Sequence, residues 1–122
     1  MRPTINQVAQ KYQLDPVLIG AIIRHETGNG TSKGFRNKNN VGGIMSHRGL
    51  RRFSSTDESI DYLGHILHSY HSRGLVSLDS IARRYAPGHR RNWVSTVSSF
   101  MNRIKAGKWG ILQTPDDKKK SK

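Results

Sequence analysis

The sequence contains no cysteine, which excludes disulfide bonds and thiolate chemistry. It has no apolar run as long as a membrane span needs, and residues 1–10 lack the apolar core of a signal peptide. We therefore expect either another route of export or a domain that belongs to a longer chain. Acidic residues are also scarce, with 8 Asp and Glu against 21 Lys and Arg. The net charge of +13 favours polyanionic partners: nucleic acid, an anionic membrane or a phosphate-rich cell wall.

The length of 122 residues, 34% of them hydrophobic, predicts one domain with a single core. We place this domain at residues 1–112 and expect a charged, disordered tail at residues 113–122. His65, His68 and His71 recur three residues apart, but they have many cations and no carboxylate ligand around them. We therefore expect neither a metal site nor a cofactor.

Local signals predict a series of helices. A capping-box pattern at Thr4 and Gln7 predicts the start of the first helix. Asp15 followed by Pro16 predicts the start of the second, and Gly28 is suited to end it. This second helix is apolar on nearly all sides, so we expect it to be central. Apolar residues at helical spacing predict three more helices, which run from Ser55 to Gly74, over Leu78 to Tyr85, and from Trp93 to Gly107.

A Gly- and Asn-rich stretch, residues 29–55, follows the second helix and predicts a turn-rich lobe. It has room for a short β-hairpin at most, in which residues 41–45 pair with residues 50–53 around residues 47–49. The predicted fold class is therefore mainly α, a helical domain with a small Gly/Asn-rich lobe inserted after the second helix.

Glu26 is the acidic residue that local structure explains least well. It lies in the last turn of the apolar second helix, where both the helix dipole and partial burial disfavour a charged carboxylate. Both effects raise the pKa of the carboxyl group, as a general acid that works near neutral pH requires. The alternative is an ordinary exposed glutamate at a helix end, paired with Arg24 or Lys33.

Several short motifs occur in one order between Leu14 and Ile104 and together resemble bacterial glucosaminidases of glycoside hydrolase family 73, in the lysozyme-like superfamily. The motifs are HETGNGTS at residues 25–32, which resembles E-[ST]-G-x-G; NNVGGIM at residues 39–45, which resembles N-N-x-x-G-I; FSSTDESI at residues 53–60, which resembles F-x-S-x-x-E-S-I; and Tyr85-Ala86-Pro87 with Trp93, which resembles Y-A-x. Each motif is weak alone, but the ordered set is specific.

The resemblance implies a lysozyme-like fold and cleavage of peptidoglycan glycan strands, with Glu26 as the catalytic acid. It also implies that Tyr85 lines the cleft near the reacting sugar, although a core aromatic at a helix end is an equally good interpretation. The substrate-binding floor of the cleft is implied to comprise Asn40, Gly43, Ile44 and Met45. A tight turn would explain the two adjacent glycines of this segment equally well.

One departure from the family concerns a second carboxylate. Several members have an acidic residue in the lobe, whereas here nothing acidic lies between Thr27 and Thr56. Hydrolysis by two carboxylates needs the second within roughly 5–10 Å, and helix capping sufficiently explains Asp57, the nearest candidate. One carboxylate suffices if the substrate assists, through an N-acetyl oxygen or through a muramyl 6-hydroxyl that gives a 1,6-anhydro product. Glucosaminidase, lytic transglycosylase and muramidase activity therefore all stay open.

Two other classes of function compete with a wall-cutting enzyme. The runs Arg83-Arg84, Arg90-Arg91 and Lys118–Lys120 fit a helical nucleic-acid-binding domain, but the cations are spread along the chain rather than along one recognition helix. A catalytically inactive wall-binding module would not explain Glu26. We therefore expect a monomer that acts outside the cytoplasmic membrane on peptidoglycan and anionic wall polymers, without nucleic acid and without a membrane span.

Overall fold

A computed structural model describes residues 1–28 and 33–107. In this part of the chain six α-helices enclose the core, and the predicted mainly α class is confirmed. The predicted tail lies outside the described residues. The elements are α1 (Arg2–Tyr12), α2 (Pro16–Thr27), α3 (Lys33–Lys38), β1 (Met45–Ser46), β2 (Gly49–Leu50), α4 (Thr56–Ser72), α5 (Leu78–Tyr85), a 3-10 turn (Pro87–His89) and α6 (Arg90–Lys105). None of the described helices is long and apolar enough to cross a membrane.

Helix α2 is the centre of the domain, as its apolar sequence predicts. Every residue from Leu18 to Arg24 is buried, and the helix packs mainly against α6. Its ends follow the local signals: the Asp15 carboxylate accepts a hydrogen bond from the Val17 N–H, and Gly28 ends the helix in the left-handed region at φ 56°. The last turn of α2 is therefore anchored in the core.

Helix α1 begins earlier than predicted. The helix starts at Arg2, so the capping box at Thr4 and Gln7 is wrong. Thr4 lies inside the first turn, and its hydroxyl donates to the Asp57 carboxylate on α4 at 2.8 Å. Pro3 in the first turn favours a helix that starts at Arg2. The Thr4 hydroxyl, which the capping box would have used, is bonded to α4 instead.

Helices α1 and α4 approach closely at Gly64. A Cβ atom on Gly64 would lie 2.3 Å from Val8 Cγ1, so only glycine fits there without a shift. The start of α4 contains one half of a capping box: the Ser55 hydroxyl accepts a hydrogen bond from the Glu58 N–H, while the Glu58 carboxylate accepts from the Ser54 hydroxyl. Helical spacing predicts four inward residues on α4, of which Ile60, Leu63 and Leu67 are buried and Tyr70 is partly buried.

The lobe differs from its prediction in two respects. It contains a short helix, α3, that the glycine-rich sequence did not indicate, and its hairpin is reduced to Met45 opposite Leu50 and Ser46 opposite Gly49. The side chain of Asn40 takes over much of the pairing that longer strands would supply. Its amide nitrogen donates to the carbonyl oxygens of Ile44 and Arg51 at 2.8 and 2.9 Å, and its oxygen accepts from the Ile44 N–H at 3.0 Å. A side-chain network therefore fixes the shape of the lobe.

Candidate active site

Glu26 lies half-buried at the end of α2, where α6 contacts it. The indole Nε1–H of Trp93, itself only 1% exposed, donates to Glu26 Oε1 at 3.1 Å. Burial raises the pKa of the Glu26 carboxyl group above its ordinary value, and the bond from Trp93 opposes part of that rise. Within the described part of the chain no ion pair involves Glu26. Burial and a neutral donor, rather than a described cation, therefore surround this carboxyl group.

The lobe approaches the Glu26 carboxyl group through the backbone of Gly43. A Cβ atom on Gly43 would lie 2.5 Å from Glu26 Oε2, and Gly43 has φ +62°, in the region that favours glycine. Glycine is thus favoured at this position for two reasons, its backbone conformation and the closeness of the carboxyl group, whose Oε2 occupies the space that a side chain would take.

Tyr85 holds the same segment from the other side. Its hydroxyl donates to the carbonyl oxygen of Gly42, and its ring centroid lies 5.8 Å from that of Trp93. Burial, and secondarily the nearby charge of Glu26, keep the pKa of the Tyr85 hydroxyl well above its ordinary value. The hydroxyl therefore stays protonated and ties the end of α5 to the lobe, so that Glu26, Gly43, Tyr85 and Trp93 form one group.

Two pockets open on either side of this group. The helix-side pocket, of about 500 Å³, lies between His25, Glu26, Tyr85, Pro87 and Trp93. The lobe-side pocket, of about 310 Å³, is lined by both lobe and helix residues, among them Gly43, Ile44, Met45, Tyr62, Tyr70, Arg84 and Tyr85. Tyr85 lines both pockets and Glu26 lines the helix-side one, and we refer to the two pockets together as the cleft. A groove of about 560 Å³ along α6 is larger, but none of its lining residues is acidic.

The predicted floor residues have different positions. Gly43, Ile44 and Met45 line the lobe-side pocket, and Met45 is 65% exposed at its edge, opposite Leu50 across the hairpin. Asn40 does not reach the cleft, because its side chain is 1% exposed and its amide group is bonded inside the lobe. Asn40 therefore supports the floor from below, and contact with a sugar would require those bonds to break.

The other described carboxylates have structural partners away from the cleft. The Asp57 carboxylate accepts a hydrogen bond from the Thr4 hydroxyl on α1. Asp57 precedes the cleft residue Tyr62 by five positions on α4, which separates the two side chains by about 140° around the helix axis. Asp57 therefore faces α1 rather than the cleft. Asp61 binds Lys11, and Asp79 binds Arg83 and Arg90. Among residues 1–28 and 33–107, Glu26 is thus the one carboxylate that lines either cleft pocket. The same residues contain no group of three side chains that could hold a metal ion.

Two features of the site have no predicted counterpart. The spacing of Trp93 predicts a core residue, and it is one, but its hydrogen bond to Glu26 joins residues 67 positions apart. The guanidinium group of Arg51 stacks on the Tyr62 ring at 4.4 Å, where Tyr62 lines the lobe-side pocket. In the sequence, the only sign of either contact is that the segments involved contain basic and aromatic residues.

Comparison with known proteins identifies the family of the chain. The sequence model of one protein family, described as glucosaminidase (mannosyl-glycoprotein endo-beta-N-acetylglucosaminidase), matches residues 2–110. No curated protein and no solved structure gives a significant match. The matched range includes every residue of the cleft. The chain therefore belongs to the glucosaminidase family, whose members are glycosidases that act on cell-wall peptidoglycan.

Proposed function

We propose that the protein cleaves the glycan strands of peptidoglycan with Glu26 as its single general acid. The observation that carries this proposal is the position of Glu26: it is the one carboxylate among the described cleft residues, half-buried, and bonded to an indole rather than to a cation. A raised pKa favours the protonated form of the carboxyl group, and a positioned acid can protonate the leaving oxygen of a glycosidic bond.

The cleft suggests the path of the glycan strand. A strand that crosses Tyr85 would occupy both pockets and bring one glycosidic oxygen beside Glu26 Oε2, above Gly43. Ile44 and the exposed Met45 offer apolar contact to the faces of the sugar rings in the lobe-side pocket. On this path Gly43, Ile44 and Met45 would contact the substrate, and Asn40 would have an indirect role.

The second half of the reaction then depends on the substrate. Asp57 is turned towards α1, so the described cleft offers no second carboxylate to act as a nucleophile or to activate water. An N-acetyl oxygen of the substrate would displace the leaving oxygen from the anomeric carbon as Glu26 protonates that oxygen, which gives an oxazolinium ring. The Glu26 carboxylate would then take a proton from the water that opens this ring, or from the muramyl 6-hydroxyl that attacks the anomeric carbon and gives the 1,6-anhydro product. Tyr85 contributes by holding Gly42 and by placing its oxygen beside the reacting sugar.

The test is Glu26→Gln, which keeps the shape of the side chain but cannot donate the proton. Clearing of purified walls should fall by at least about a hundredfold, the usual effect of losing a general acid, while the thermal unfolding transition remains cooperative. Mass spectrometry of the wild-type products identifies the bond, since a glucosaminidase leaves N-acetylglucosamine at the new end and a transglycosylase leaves 1,6-anhydromuramic acid. Clearing at the wild-type rate by the folded variant would refute the role of Glu26.

The action of this enzyme would lie outside the cytoplasmic membrane, where its substrate is. Teichoic acids and other phosphate-bearing wall polymers would attract a protein of net charge +13 and concentrate it on the wall. This attraction depends on the total charge rather than on the cleft, so binding and cutting can be measured separately.

A further inference from the structure

We propose that Trp93 is a positioning residue that places the proton of Glu26 on Oε2, the oxygen that faces the lobe. This inference rests on the proposed general-acid role of Glu26 and adds the question of which oxygen delivers the proton. It starts from the 3.1 Å hydrogen bond between Trp93 Nε1 and Glu26 Oε1.

An indole N–H can only donate, so its partner must accept. In a neutral carboxyl group the carbonyl oxygen is the better acceptor, and the hydroxyl oxygen carries the proton. Because the Trp93 N–H faces Oε1, the favoured neutral form has its carbonyl at Oε1 and its hydroxyl at Oε2. A carboxyl group without such a donor would share its proton between both oxygens.

Oε2 is the oxygen that can reach a substrate. It lies against Gly43, which lines the lobe-side pocket, whereas Oε1 faces the buried indole of α6. A proton on Oε1 would therefore face the indole N–H of Trp93 instead of a glycosidic oxygen beside Gly43. The bond from Trp93 and the missing side chain of Gly43 act together, since the bond selects the oxygen and the glycine makes room for that oxygen beside the lobe.

The neighbours of Trp93 leave the indole N–H available for this purpose. The ring is wedged between Tyr85 at 5.8 Å and His25 at 6.3 Å between ring centroids. The titratable groups that line the helix-side pocket beside Glu26 are His25 on α2, Tyr85 at the end of α5 and His89 in the turn before α6. Burial lowers the pKa of His25 and raises that of Tyr85, so both are neutral near pH 7 and neither competes as an ion.

The first test is Trp93→Phe, which keeps an aromatic ring and removes the N–H. We expect kcat to fall between about tenfold and a hundredfold, as for a misplaced catalytic group, with KM changed far less. The alkaline limb of the pH–rate profile should move to higher pH, because the N–H stabilises the ionised carboxylate and its loss raises the pKa of Glu26. A purely structural role predicts lower stability without that shift.

The control is Val97→Ala, one turn further along α6 and fully buried. It removes packing and leaves the N–H in place, so it should lower the melting temperature without moving the pH profile. If Val97→Ala reproduces the loss of kcat and the shift of the alkaline limb, or if Trp93→Phe moves neither, the proposal is wrong.

A direct measurement does not depend on activity. The chain has only two glutamates, Glu26 and Glu58, so carbon-13 labelling of glutamate gives two carboxyl signals. In Trp93→Phe the Glu26 titration should move to higher pH, and the Glu58 signal serves to identify Glu26 by elimination. An unchanged Glu26 midpoint would overturn the proposal even if Glu26→Gln abolishes activity, so the two hypotheses fail separately.

If Trp93→Phe does not fold, the hydrogen bond from Trp93 to Glu26 can be tested with the Trp93 side chain in place. The chain has two tryptophans, and the nitrogen-15 signal of the Trp93 indole can be assigned with the variant Trp109→Phe. That signal should shift with pH at the same midpoint as the Glu26 carboxyl carbon, and the shift should disappear in Glu26→Gln. An indole signal that does not follow Glu26 would show that the bond is absent in solution.

Discussion

Replacing Gly43 with alanine tests the closest contact in the cleft. The added Cβ atom would lie 2.5 Å from Glu26 Oε2, where non-bonded carbon and oxygen atoms normally stay well over 3 Å apart. The obstacle is the end of a flexible side chain, so the Glu26 carboxyl group can move aside without breaking the fold. The movement would weaken its bond from Trp93 and take Oε2 away from the space above the lobe.

The expected effects on stability and activity therefore differ in size. The left-handed backbone at φ +62° makes alanine less favourable than glycine by about 1–2 kcal/mol, which is a moderate loss for a small domain. A displacement of the acid by about 1 Å costs on the order of a hundredfold in rate. Activity should thus fall much further than the population of folded protein.

The matched control is Gly74→Ala. Gly74 has a similar φ of +81°, but a Cβ atom there would meet nothing within 4 Å. Both variants carry the backbone penalty, and only Gly43→Ala carries the contact with Glu26. Thermal unfolding and wall clearing are measured for both at one temperature well below their transitions. Equal activity in the two variants would show that Oε2 does not need the space that Gly43 leaves open.

Three further predictions concern charge and protonation. Wall clearing should fall as salt rises, because ions screen the attraction between a protein of net charge +13 and the anionic wall, with a screening length of about 10 Å at 0.1 M salt. Equal rates at about 0.05 and 0.5 M salt on teichoic-acid-bearing walls would show that the charge has another role. Glu26→Gln should be more stable than the wild type at pH 7 and nearly equal to it at pH 4 by thermal unfolding. A carboxyl group whose pKa is raised on folding stabilises the protein below its unfolded pKa of 4.5, and that contribution disappears as pH rises through the folded pKa. Asp57→Asn should keep most activity and lose only about 0.3–1 kcal/mol of stability, because the negative charge at the start of α4 favours the helix dipole. Tyr85→Phe should lose more activity at matched stability, because it removes the hydrogen bond to Gly42. A lower turnover number for Asp57→Asn than for Tyr85→Phe would instead support a two-carboxylate mechanism.

The parts of the fold that could be predicted are those set by neighbouring residues. The ends of α2 follow from Asp15-Pro16 and Gly28, whose side chains and backbone act within one turn. The position of Glu26 at the buried end of α2 follows from the same pattern. The ordered motifs also indicated the family, because motif order is a property of the sequence itself.

The parts that could not be predicted depend on contacts between distant segments. Whether Thr4 caps α1 or bonds to Asp57 is decided by the packing of α1 on α4. The motif containing Asn40 suggests a polar group for substrate, but the lobe uses that group to close its own backbone. The bond from Trp93 to Glu26 exists only because α6 lies beside α2, and nothing near either residue specifies it.

The order in which the cleft residues occur along the chain has a consequence for synthesis of the enzyme. Glu26 and Gly43 precede the exposed connection at residues 73–77, and Tyr85 and Trp93 follow it. A ribosome therefore produces the acid long before it produces the indole that orients it or the tyrosine that fixes the floor. On the proposed mechanism the growing chain cannot cut a glycan until α6 has folded against α2, so catalytic competence would arrive late in synthesis.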